Sequence, residues 1–195
     1  MIMATGCKQR GSIVLAVVAL LLSASLAGAA VSLDESCSTT PHPDVCRTVL
    51  QAIPDSKDAT TPRGLAEVAI HAASNVGAAA GTYARAQLDI VQDNDMWQCL
   101  DECAEDIEEA VSHLDDTEGE IEDAKFNDVK LFLENANRDS WSCDESCKYA
   151  PETPVKATLL ARNKDFETIM TITNALIKKA TGGAAPAPAP VPLLP

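Results

Sequence analysis

Two cysteine pairs of identical spacing, Cys99-x3-Cys103 and Cys143-x3-Cys147, constrain this chain more than any other feature. Residues four apart lie on one helical face, one turn apart. Two such pairs can be bridged twice only if their segments run side by side. Antiparallel packing nests the bonds, Cys99 with Cys147 and Cys103 with Cys143. Parallel packing would join Cys99 to Cys143. The intervening chain passes a turn near Gly119 and a helical segment that comes back, which favours the antiparallel, nested arrangement. Each such bridge closes a loop of about 40 residues, worth on the order of 3–4 kcal/mol in the loop-entropy account. A third pair, Cys37 and Cys46, flanks a segment containing Pro41 and Pro43, which reads as a small helical hairpin closed on itself.

The disulfide reading needs an oxidising destination, and the N-terminus supplies the signal for one. Lys8 and Arg10 precede an apolar run from Ser12 to Leu26, which ends in Ala27-Gly28-Ala29. A positive start, an apolar middle and a small-residue exit are the layout of a secretory leader, here residues 1–30, cleaved after Ala29 or Ala30. The run is short for a membrane span, which needs about 20 apolar residues. Cys7 leaves with the leader, and an even set of six cysteines remains. Zinc ligation fits poorly, because the x3 spacing differs from zinc knuckles. Nothing in the pattern points to a metal or a cofactor.

The whole chain has 15 basic and 29 acidic residues. The leader takes two bases and no acid, leaving a mature net charge of −16. Such a chain repels phosphate backbones and anionic lipid, so neither nucleic acid nor membrane is the expected partner; a basic protein surface could be steered to it. A mature length of about 165 residues suits one domain with a real core. With aromatics at only 4%, that core must be built from Ala, Val, Leu and Ile.

Apolar residues recur at helical steps in four stretches: Leu65, Ala69, Ala72, Val76, Ala79, Tyr83 and Ile90; Leu100, Cys103, Ile107, Val111 and Leu114; Phe126, Val129, Leu133 and Ala136; Val155, Leu159, Phe166, Ile169, Thr173, Leu176 and Ala180. Each is one stripe of an amphipathic helix. Thr61-Pro62 opens the first, Asp93-Asn94-Asp95 separates it from the second, Gly119 sits near the second turn, and Ala150 to Pro154 precedes the last. The expected fold is all-α: an up-down-up-down four-helix bundle over residues 31–180, preceded by the short disulfide-closed hairpin. Residues 181–195 start with Thr181-Gly182-Gly183 and continue as Ala-Pro repeats, the composition of a disordered, extended tail.

Catalytic signatures are missing. The chain has three histidines and no G-x-S-x-G, H-E-x-x-H or glycine-rich phosphate loop. His71 and His113 read as helix-surface or partly buried residues. The acids Asp101, Glu102, Glu105, Asp106, Glu108 and Glu109 lack the fixed spacing and glycine of a calcium loop and read as a solvated helix face, extended by Glu118, Glu120, Glu122 and Asp123. The chain is expected not to be an enzyme.

The blocks around the cysteines resemble a known family. Cys37-Ser-Thr-Thr-Pro-His-Pro-Asp-Val-Cys46, the run Glu109-Ala-Val-Ser-His-Leu114 after Cys103, and Phe126-Asn-Asp-Val-Lys-Leu-Phe-Leu-Glu-Asn-Ala136 closing at Cys143 are similar to three blocks of the plant invertase and pectin methylesterase inhibitors. The likeness covers about Leu33 to Lys179. It implies secretion to the apoplast or vacuole and non-covalent inhibition of an acid invertase or a pectin methylesterase, with the invertase slightly favoured. The family's usual four cysteines would be Cys37–Cys46 and Cys103–Cys143, with Cys99 and Cys147 additional. Ile107 stands where the family commonly has tyrosine, and Asn135-Ala136 replaces a usual Ala-Ala-Leu. Invertase inhibitors resemble one another in a Pro-Lys-Phe motif that enters the enzyme's cleft; this chain has Ala124-Lys125-Phe126 there, which marks Lys125 and Phe126 as the candidate target-binding residues. The alternative is that Phe126 is simply the first core residue of the third helix. A second function class also stands: a secreted wall protein that keeps the fold but inhibits nothing.

Overall fold

The computed structural model describes residues 31–140 and 142–182. The expected leader lies outside them, as does the tail beyond Gly182. The hairpin comprises α1 (Leu33–Ser38) and α2 (Pro43–Ala52), followed by a 3-10 turn at Pro54–Lys57. The long helices are α3 (Pro62–Leu88), α4 (Asn94–Glu122), α5 (Phe126–Ser140) and α7 (Pro154–Ala180), with a single-turn helix α6 (Cys143–Ser146) between the last two.

Helix starts follow local chemistry. Ser32, Thr61, Asp93 and Thr153 each accept a backbone N–H from the residue three further on, at α1, α3, α4 and α7 respectively. These are the side chains that satisfy the orphan donors of a first turn. Pro62 and Pro154 then sit at the first helical position, where a missing N–H costs nothing. At the other end of α7, Gly182 adopts the left-handed φ of 67° that closes a helix, and its N–H donates to Lys179 O.

Cross-helix bonds set the directions. Tyr83 donates to Val155 O at 3.4 Å and Thr173 to Ala69 O at 3.1 Å, so α3 and α7 are antiparallel. Arg85 meets Asp101 and His71 meets Glu118, so α3 and α4 are antiparallel too. α3 packs along both α4 and α7, and α4 along α5; α5 and α7 meet far less extensively, chiefly through Asn137 and Asn174 at 2.9 Å. Leu65, Ile70, Leu100, Ile107, Leu114, Leu159, Phe166 and Met170 fill the core, with fully buried alanines at 66, 69, 73, 80, 84, 104 and 110. Alanines let the helix axes approach closely, so a core poor in aromatics can still be dense.

All three disulfides are formed: Cys37–Cys46, Cys99–Cys147 and Cys103–Cys143, the last two with Cα atoms 4.4 and 4.6 Å apart. The second cysteine pair does not continue the third long helix. That helix ends at Ser140, and Cys143 and Cys147 sit on and just after the separate turn α6.

Three further expectations are sharpened by the structure. Gly119 lies near the second turn but not in it: α4 runs through it to Glu122, because Leu114, Thr117 and Ile121 are buried on both sides of it and one helical glycine costs only about 1 kcal/mol. In α3 the buried residues are Leu65, Ala66, Val68, Ala69, Ile70, Ala72, Ala73, Gly77, Ala80, Gly81 and Ala84; the expected Leu65, Ala69 and Ala72 are among them, and Ala79 is not. With alanine on every face of this helix, nothing in the residue types separates Ala79 from the buried Ala80. Ile90 lies beyond the helix and is 67% exposed.

Candidate functional site

The α4–α5 turn is where Lys125 and Phe126 stand. α4 closes with the Asp123 N–H donating to Gly119 O and Ile121 O. Ala124 then takes a left-handed φ of 57°, a conformation in which an L side chain is strained. The reversal lets Lys125 N donate to Glu120 O at 2.9 Å, and Lys125 O accepts from Asp128 N and Val129 N to start α5. Lysine has no acceptor atom, so its side chain cannot cap α5 as Ser32, Thr61, Asp93 and Thr153 cap their helices.

The ammonium turns back toward α4 instead. Lys125 Nζ lies 2.8 Å from Asp123 Oδ2 and 3.2 Å from Glu120 Oε2, with the lysine side chain 52% exposed. The close contact of the ammonium with the Asp123 carboxylate, then that with Glu120, raises the lysine pKa above its ordinary value, and the same contact holds the Asp123 carboxyl below the usual range. Phe126 is 42% exposed. It is therefore not a core residue of α5: Val129 and Ala136 are buried there and Phe126 stands at the tip.

Asp123 and Glu120 were legible in the sequence only as members of an acidic run. No spacing rule pairs Asp123 with Lys125; the left-handed Ala124 does so. The rest of the acidic face of α4 is divided. Asp101 and Glu108 bind Arg85, and Asp106 accepts from Ser142 Oγ at 2.5 Å. His71 Nε2 contacts Glu118 at 2.8 Å, and His113 sits 3.6 Å from Asp139 and 3.9 Å from Asp116. No group of three or more metal-ligating side chains comes together, and no helix is long and apolar enough to cross a membrane, among the described residues.

A family model described as plant invertase/pectin methylesterase inhibitor matches residues 31–176, nearly the whole bundle and its hairpin. The chain belongs to that inhibitor family. No curated protein sequence matches it closely enough to count as a relative. Two solved structures share the inhibitor fold: a mutant form of a pectin methylesterase inhibitor from Arabidopsis, at TM-score 0.60 and 14% identity, with 72% of this chain and 91% of that one covered; and a pectin methylesterase inhibitor from Arabidopsis thaliana, at TM-score 0.55 and 14% identity, covering 74% and 92%. At that identity they speak for the inhibitor architecture alone. Cys37–Cys46 and Cys103–Cys143, the pairs the resemblance implied, are both formed, and Cys99–Cys147 adds a bridge one helical turn from the latter.

Proposed function

We propose that this chain is a secreted protein inhibitor that acts by binding, not by catalysis, and that it presents the Lys125–Phe126 turn to a carbohydrate enzyme of the plant wall or vacuole, an acid invertase ahead of a pectin methylesterase. The observation that carries the reading is the exposure of Phe126 beside Lys125 at a bundle tip. An exposed aromatic next to a cation suits entry into a cleft that holds paired carboxylates, as glycoside hydrolases do. There the lysine gains a charge-assisted hydrogen bond in a drier setting than its present one. Exposed ion pairs such as Lys125–Asp123 contribute little in water, so releasing the lysine from them is a small cost beside a desolvated contact with two carboxylates.

The test is inhibition of purified acid invertase and pectin methylesterase by the full disulfide-bonded protein and by Lys125→Ala. The variant should lose invertase inhibition by about tenfold or more, the usual size for removing one partner of a desolvated charge pair, with unchanged circular dichroism. Undiminished inhibition by the folded variant would turn the reading to pectin methylesterase gripped through the helix faces. Inhibition of neither enzyme would leave the non-inhibitory wall protein.

A further inference from the structure

We propose that Asp123 and Glu120 are a latch on Lys125: they hold its ammonium against the bundle in the free protein, and they set how acidic a target cleft must be to take it. This rests on the reading of the turn as the contact surface. The parts of the latch come from one short stretch. Lys125 N donates to Glu120 O, which fixes where the lysine leaves the chain, and the left-handed Ala124 brings the Asp123 carboxylate and the Lys125 ammonium to the same side. Arg63 of α3 donates to Glu122 O at 3.1 Å and so ties the end of α4 to its neighbour.

Asp123 opposes docking in two ways. It competes for Nζ, and once the lysine has swung out its charge, 61% exposed, faces the incoming carboxylates. Like charges brought together across an interface are a common device for rejecting wrong partners. One exposed target carboxylate cannot outbid two resident acids. A pair of carboxylates in a cleft from which water is excluded can, because charge attraction grows as the local dielectric falls. The latch therefore selects targets with a dry, doubly acidic cleft over proteins with scattered surface acids.

Asp123→Asn tests this in the full chain. Asparagine keeps the size of the side chain and leaves the backbone N–H that closes α4. The expected result is inhibition of acid invertase tightened by about two- to fivefold, the scale of one exposed charge contact, with no such gain in a Lys125→Ala background. Asp128→Asn, an equal charge change in the first turn of α5, should give a smaller gain. The latch is overturned, and the turn kept as the contact surface, if Lys125→Ala weakens inhibition while Asp123→Asn leaves it unchanged or weakens it. It is likewise overturned if the gain persists without Lys125 or is matched by Asp128→Asn, which would make it a general charge effect. If neither Lys125→Ala nor Asp123→Asn changes inhibition, the contact surface lies elsewhere and the latch falls with it.

Discussion

Gly77 on α3 faces Phe166 on α7 with no room for a side-chain carbon between them: a Cβ at Gly77 would lie 2.9 Å from the phenyl ring and 2.8 Å from a methyl of Val111 on α4. Phe166 is fully buried. Three helices converge on this point, and the missing side chain is what lets the ring in.

Gly77→Ala should therefore destabilise the fold. Alanine gains about 1 kcal/mol of helix propensity, but overpacking a dense core costs typically 1–3 kcal/mol, and two rigid groups must move here. A net loss of about 1–2 kcal/mol is expected in urea unfolding. Gly119→Ala should do the opposite. That glycine is helical with nothing within 4 Å of a new Cβ, so a gain of about 0.5–1 kcal/mol is expected. Matching signs for the two variants would contradict the packing described.

The nested bridges should be non-additive. Cys99–Cys147 spans 48 residues and Cys103–Cys143 spans 40. With either one intact, the other closes only the short circuit of about ten residues between them, so removing one by paired Cys→Ser changes costs about 2–3 kcal/mol in the loop-entropy account. Removing both opens the long loop as well and should cost about 6 kcal/mol, more than twice the single loss. Non-reducing peptide mapping checks the pairing first; Cys99 joined to Cys143, or free thiols at Cys99 and Cys147, would contradict it.

Arg85 joins α3 to α4, with bonds of 2.6 Å to Asp101 and 2.8 and 3.0 Å to Glu108. Its hydrogen bond to Glu108 raises the guanidinium further above its ordinary value and holds the Glu108 carboxyl below the ordinary 4.5. A depressed carboxylate stabilises above its unfolded pKa, and the contribution is lost as pH falls through the folded value. Arg85→Ala should cost at most about 1 kcal/mol near pH 7, since both side chains are well solvated. The difference from the parent should shrink in urea titrations below pH 4.5; a cost independent of pH would count against the ion pair.

Phe126→Ala separates binding from folding. A buried phenylalanine would cost about 3–5 kcal/mol on truncation, but Phe126 is 42% exposed. The melting temperature should stay within a few degrees of the parent while inhibition weakens. A large fall in melting temperature would place the ring in the core instead.

Association should also depend on salt. With 29 acids in the chain, the field draws in a basic enzyme surface and is screened within about 10 Å at 0.1 M salt. Stopped-flow association with a basic target should slow as salt rises, and an unchanged rate would argue against steering.

What the chain itself determined is local or pairwise: the helix starts at Thr61, Asp93 and Thr153, the end near Gly182, and the shared face of each cysteine pair, which favoured the nested bridges without excluding the parallel ones. A capping side chain reaches a backbone N–H three residues away, and cysteines four apart share a face, so neither needs knowledge of the whole fold. Sequence order alone also suggested four antiparallel helices, because short connections leave few other ways to pack them. Tertiary structure decided the rest. In alanine-rich α3 nothing in the residue types told Ala79 from Ala80, and only packing against α4 and α7 buried the latter. Gly119 signalled a nearby turn, but burial of Thr117 and Ile121 outweighed its small helical cost, so the reversal fell five residues later, on an alanine. That displacement brought Asp123 onto Lys125 and left Phe126 outside the core, because the direction of a side chain at a turn is set by one backbone dihedral that the chain folds around and that no spacing of residue types encodes.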